Sequence, residues 1–124
     1  MFAGMCLGVE NLETAGKFYD AVLSALGMER LVSEEKELGY GPVDGEANFW
    51  VLLPFDGRPA TFGNGTQAIF KAPDQSSVDA FHEAALKLGG TDEGAPGPRD
   101  YAPGYYGAYC RDPLGNKLHT FCLI

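Results

Sequence analysis

The sequence predicts an α+β fold made of two similar halves, each running strand, helix, then three strands. Three observations carry that expectation. Two segments place apolar residues at helical spacing, each opened by a capping side chain and closed by glycine. Each is preceded by one short apolar run and followed by three further strand-like runs. The opening strand and helix of the two halves are also offset by 63 residues, which lays Phe18-Tyr19-Asp20-Ala21 on Phe81-His82-Glu83-Ala84 and Gly27 on Gly90. Identities across the halves are few, so the repeat rests on the order of elements more than on letters.

In the first half, residues 5–9 form a short apolar strand. Asn11 suits a helix N-cap, because its side chain can accept from backbone donors of the first turn. Leu12, Ala15, Tyr19, Val22 and Leu26 follow at helical spacing, and Gly27 can end the helix in the left-handed region. Met28–Ser33 and residues 36–42 read as strands around a charged turn, with Glu34, Glu35 and Glu37 at a solvated hairpin tip. Residues 48–54 are aromatic, branched and leucine-rich, which marks a strand. A Gly/Pro-rich connection, 56–65, leads to the second half.

The pattern then returns. Residues 66–72 form a strand, and Asp74 caps a helix carrying Val78, Phe81, Ala85 and Leu88, closed by Gly89-Gly90. Thr91–Pro98 is a weak strand and 99–104 a loop. Tyr105–Arg111 and Lys117–Leu123 are strands joined by Asp112-Pro113-Leu114-Gly115-Asn116, a turn by residue chemistry. The expected organisation is one domain, 1–124, divided into a module 1–62 and a module 63–124.

Composition limits what such a domain can do. A length of 124 residues supports one core of useful size, and a net charge of −8 argues against nucleic acid or an anionic membrane as partner. No apolar run is long enough to cross a membrane, and no secretory leader is recognisable, so a cytoplasmic protein is expected. Cys6, Cys110 and Cys122 are odd in number and scattered, and read as reduced thiols in strands.

Four stretches resemble the vicinal oxygen chelate superfamily of glyoxalase I, bleomycin-resistance proteins and extradiol dioxygenases. They are the opening strand, ENLETAGKFYDAVLSALGM, TQAIFKAPDQSSVDAFHEAALKLGG and GYYGAYCRDPLGNKLHTFC. The FYDAVLSALG helix and the RDPLGNK turn are the most specific pieces. The resemblance implies two βαβββ modules, each a curved mixed sheet with its helix on the outer face, around a central small-molecule cavity. In metal-dependent members, side chains of the first and last strands of each module hold a divalent ion there.

Carried onto this chain, those ligand positions fall at Gly4, near Phe49 or Trp50 (with Gly45 matching Gly115), at Gln67, and at His119 where relatives carry an acidic ligand. Glycine and an aromatic ring offer no donor. Gln67 and His119 would be two neutral ligands, too few to compete for magnesium, manganese, zinc or iron. A divalent metal is therefore disfavoured, no cofactor is expected, and Gln67 and His119 are the ligands if one binds, with Glu93, Asp100 or Tyr101 able to fold in although no spacing points to them. Without metal, they could orient a polar ligand or act as catalytic base and electrophile. The competing reading of His119 is a hydrogen-bonded core residue.

Phe49, Trp50, Tyr105 and Tyr106 are the candidate ligand-binding aromatics. His82, beside Phe81 on the second helix, is expected at the surface, as are Arg99 and Arg111. The favoured function is a metal-free, bleomycin-resistance-like protein that binds a small molecule. The alternatives are a lyase (lactoylglutathione-lyase-like), an isomerase or a dioxygenase with an unusual metal site, or a non-catalytic assembly domain. Family habit adds a homodimer as the expected assembly.

Overall fold

The computed structural model describes residues 1–124. The elements in order are β1 (Met5–Gly8), α1 (Leu12–Ser24), β2 (Met28–Ser33), β3 (Glu37–Pro42), β4 (Phe49–Leu52), β5 (Gln67–Lys71), α2 (Gln75–Lys87), β6 (Thr91–Pro98), β7 (Tyr105–Arg111) and β8 (Lys117–Leu123). This is the expected strand–helix–three-strand order, present twice. Both caps act as the sequence predicts: Asn11 accepts from the Thr14 amide at 3.0 Å and Asp74 from the Ser77 amide at 2.8 Å.

Two four-stranded mixed sheets result, ordered β1-β4-β3-β2 and β5-β8-β7-β6. In each, the first strand pairs parallel to the last, and the other pairings are antiparallel. The halves are thus topological copies, and the register makes the copy exact enough to superpose positions. Cys6 lies opposite Trp50, and Ile69, which the 63-residue offset equates with Cys6, lies opposite His119. Trp50 and His119 therefore occupy equivalent places in the two sheets.

Alternation along the strands sends one side of each sheet to the helices. Leu7, Leu38, Tyr40, Phe49 and Val51 of the first sheet and Ala68, Cys110 and Leu118 of the second join Phe18, Tyr19 and Phe81 of the helices in one buried cluster. The core therefore runs through both modules, continued by edge-to-face contacts from Phe49 to Phe70 at 5.1 Å. Burial of these residues is the main driving force for the fold.

A polar clasp also joins the modules. The Asp112 carboxylate, buried in the turn between β7 and β8, accepts from the Leu114, Gly115 and Asn116 amides at 3.0, 2.9 and 2.9 Å. Its second oxygen accepts from the Tyr19 hydroxyl of α1 at 2.7 Å and from the Asn116 amide side chain at 2.9 Å. Asn116 also donates to the Gly8 carbonyl across the module boundary at 2.8 Å. A buried carboxylate needs such donors to offset desolvation. Burial first, then the Asp112 charge, pushes the Tyr19 hydroxyl well above its ordinary pKa, so it stays a donor.

The corresponding turn of the first half differs from expectation. Gly115 has a φ of 120°, but in the β3–β4 connection the positive φ of 63° belongs to Asp44, not to Gly45. Gly45 is needed for closeness instead, since a Cβ there would lie 2.6 Å from the Pro42 ring.

His82 also departs from expectation. It is buried, at 6 % exposure, and its Nε2 lies 2.9 Å from the Asp92 carboxylate on β6. Its place on the α2 face turned to the core, with Val78, Phe81 and Ala85, explains the burial.

Candidate functional site

The strands that bury Ala68 and Leu118 toward the helices turn Gln67, Ile69 and Lys71 of β5 and Lys117, His119 and Phe121 of β8 to the opposite, open face. Tyr105, Gly107, Tyr109 and Arg111 of β7 share that face by register. Gln67 and His119 are thus on one face, as expected, but they do not engage each other. Gln67 is exposed opposite Lys117, and His119 lies two pairs further on, opposite Ile69.

Both His119 nitrogens are taken. Nδ1 lies 3.1 Å from the Ala108 carbonyl, and Nε2 lies 2.6 Å from the Tyr105 hydroxyl. A carbonyl only accepts, so Nδ1 carries the proton and Nε2 accepts from Tyr105. The ring stacks on Tyr109 at 4.1 Å between centroids, and Tyr105 stacks on Phe121 at 4.7 Å. Only 3 % of His119 remains exposed.

Gly107 permits this arrangement: a Cβ there would sit 2.9 Å from His119 Cε1 and 3.3 Å from the Tyr105 ring. Burial holds His119 below the ordinary histidine pKa, with Arg99 and Lys117 acting in the same direction against the pull of the Ala108 carbonyl. The imidazole is neutral and saturated.

Around it lies an array of phenols. Tyr101 meets Tyr109 hydroxyl to hydroxyl at 2.9 Å and meets the Tyr105 ring edge-on at 5.0 Å. Burial and the bond to Tyr101 push Tyr109 up to about 12. Burial also raises Tyr105. Neither ionises near neutral pH, so both act as hydrogen-bonding phenols. Of these neighbours only Lys117 carries no signal in the sequence, whereas two-residue alternation in YYGAYCR places Tyr109 with Tyr105.

The other candidate aromatics divide by the same alternation. Trp50 lies on the open face of the first sheet, over Gly39, where a Cβ would come within 2.6 Å of the indole. Phe49 is turned into the core, 5.3 Å from Tyr19. Tyr106 is turned to the helix side and donates to Asp79 of α2 at 2.6 Å. Trp50 and Tyr105 are therefore on open faces, while Phe49 and Tyr106 are not.

The family's metal position does not find a fitting donor set here. Gly4 has no side chain and no room for one, because a Cβ would overlap the Asn48 carbonyl oxygen. That oxygen is fixed by the Met5 amide at 3.1 Å. Trp50 has no metal-binding atom, His119 has no free nitrogen, and Gln67 offers one neutral oxygen. No three His, Cys, Asp or Glu side chains are grouped elsewhere to hold an ion. Cys6 is exposed and Cys110 and Cys122 are buried, and burial pushes the Cys110 thiol up to about 12, which suits packing and not nucleophilic attack.

Hollows occur at the ends of the open faces. One of about 560 Å³ is bounded by Glu10, Lys36, Glu37, Leu52, Phe55 and Arg58. Another, of about 670 Å³, is bounded by Arg99, Asp100, Tyr101, Tyr105 and Tyr106. Gln67, Trp50 and His119 line neither.

A solved glyoxalase/bleomycin resistance protein from Albidiferax ferrireducens T118 is 39% identical to this chain, covers 100% of it and 99% of its own length, and superposes with a TM-score of 0.90. The chain belongs to the glyoxalase/bleomycin resistance protein family. Two more distant structures share the fold. A glyoxalase/bleomycin resistance protein/dioxygenase family enzyme from Burkholderia phytofirmans PsJN is 17% identical with a TM-score of 0.75, over 99% of this chain and 98% of that one. The fosfomycin resistance protein FosX from Mesorhizobium loti is 17% identical with a TM-score of 0.68, over 100% and 92%. No protein-family model and no curated protein matches the sequence. No helix is long and apolar enough to cross a membrane.

Proposed function

We propose that this member of the glyoxalase/bleomycin resistance family binds a small flat molecule without a bound metal, and does not use His119 as a catalytic base. The observation that carries the reading is the state of His119. The one nitrogen ligand in the family's metal position is 3 % exposed and accepts from Tyr105, while its opposite number in the first module is the indole of Trp50. Gly4, walled by the Asn48 carbonyl, supports the same conclusion. What remains for a ligand is a pair of open sheet faces bearing Trp50 on one and Tyr101, Tyr105 and Tyr109 on the other.

The ligand space is read as closed by a second copy of the chain, in keeping with the expected homodimer. Ile69 stands 59 % exposed on β5, the edge strand of the second sheet. Sedimentation at micromolar concentration is expected to give twice the 13.3 kDa chain mass.

The experiment is metal analysis of protein purified without chelator, followed by ligand titration monitored by Trp50 fluorescence and melting temperature. The reading expects less than about one-tenth of an ion per chain, with flat aromatic compounds quenching Trp50 and raising the melting temperature. One tightly held ion per chain, or turnover that needs added metal, would establish the enzyme reading instead.

A further inference from the structure

Positive charge is scarce in this chain and unevenly placed. Against a net charge of −8, the open face of the second sheet carries Lys71, Lys117 and Arg111, and Arg99 reaches the Tyr109 ring from the loop after β6, so that four of the nine cations gather here. Only Arg111 has a carboxylate partner, Glu93. The chain's other ion pairs join Lys17 to Glu13, Arg30 to Asp20 and His82 to Asp92, none on this face.

Arg99 is held without being neutralised. Its guanidinium donates to the Ala95, Gly97 and Pro98 carbonyls at 2.9, 3.0 and 3.1 Å, which fix its direction and leave its charge. It lies 5.8 Å from the Tyr109 ring centre, and Lys117 Nζ lies 5.2 Å from it. Beside these cations stand the exposed edge of Tyr101, at 62 % exposure, and the half-buried Tyr105. Of the acids in the neighbourhood, Glu93 is committed to Arg111, Asp92 to His82, and Asp100 lies in the loop bounding the adjoining hollow.

We infer that the ligand of this face is a planar aromatic anion, a ring or fused ring bearing a carboxylate or an equivalent acidic group. The ring packs against Tyr101, Tyr105 and Tyr109, and the anion is met by Lys117 and Arg99, with Lys71 adding long-range attraction. The inference rests on the proposed ligand-binding reading and adds to it the chemical class of the ligand. Rings alone would accept neutral arenes equally, and cations alone would accept inorganic phosphate. The two together on one face select for both features.

The test uses 2-naphthoate and its neutral analogue 2-naphthamide, titrated calorimetrically into the full chain and into Lys117→Gln, Lys71→Gln and, as a control on the other module, Lys36→Gln. Naphthoate is expected to bind about ten-fold more tightly than naphthamide. Lys117→Gln should weaken naphthoate roughly two- to five-fold and Lys71→Gln less, both without effect on naphthamide. Raising the salt from about 0.05 M to 0.5 M should shrink the preference.

Equal affinity for the two compounds would overturn the inference and leave the ligand-binding reading standing. A naphthoate preference that disappears in Lys36→Gln and survives in Lys117→Gln would also overturn it, by moving the anion to the first module. Absence of binding by either compound at millimolar concentration would remove both readings.

Discussion

On the first sheet the indole of Trp50 lies across Gly39 with nothing but packing to hold it, while at the same place on the second sheet the imidazole of His119 is bonded through both nitrogens and stacked on Tyr109. The two turns that carry these strands differ in the same sense. Asp112 gathers five donors from the turn and from α1, whereas Asp44 contributes a left-handed backbone residue. The halves share a topology, yet at these matching places the second is fastened by buried polar bonds and the first by packing, the first module's own polar anchor being the bond from buried Tyr40 to Asp20 at 2.8 Å. Duplicated architecture fixes where a side chain points and leaves open what it does there.

The turns give the sharpest break in this comparison. Asp112→Ala strands the Tyr19 hydroxyl and the Leu114 and Asn116 amides, and is expected to cost about 3 kcal/mol in urea unfolding. Asp44→Gly in the matching turn is expected to leave stability within about 1 kcal/mol of the parent, because glycine accepts its backbone conformation. Comparable losses in both variants would show that the modules are fastened alike.

The two glycines come next. A Cβ at position 107 meets His119 at 2.9 Å and the Thr120 carbonyl at 3.2 Å, neither free to move, whereas at position 39 it meets only the partly exposed Trp50 ring at 2.6 Å. Gly107→Ala is therefore expected to cost about 2 kcal/mol and Gly39→Ala about 1 kcal/mol. Trp50 fluorescence should shift only in the latter.

The smallest effect concerns protons. The fold favours neutral His119, so its contribution to stability is full above about pH 6.5, where the unfolded chain is neutral too. It is lost as the pH falls further, because the unfolded chain takes up a proton that the folded site resists. His119→Phe, which keeps a ring against Tyr109, should flatten this part of the stability profile. An imidazole resonance of residue 119 titrating above pH 6.5 in the folded protein would contradict it.

Much of the frame was legible in the sequence, since capping residues, helical spacing and the 63-residue offset are local signals. The site was legible only by position. Adjacent residues in a strand point to opposite faces, so Phe49 with Trp50, and Tyr105 with Tyr106, could never both have faced a ligand. Alternation alone separates them once the register is known. Register also supplied Lys117, two residues before His119, and set Tyr109 of the neighbouring strand directly opposite the ring. His82 was misplaced because the arc of α2 that faces the core is wider than Val78, Phe81 and Ala85 suggest, and Asp92 lies close enough to satisfy a buried ring. The engagement of His119 by Tyr105 joins residues on two antiparallel strands, a pairing that no spacing encodes.

The carbonyl beneath Gly4 closes that position to any side chain. A histidine or glutamine introduced at that position would arrive in a space filled by the Asn48 peptide, whose oxygen already bonds the Met5 amide. The strand end would have to shift first, with no benefit until the ligand followed. A side chain at position 4 is therefore gated by a peptide at the head of the neighbouring strand, and a donor there needs two coordinated changes where one would otherwise serve.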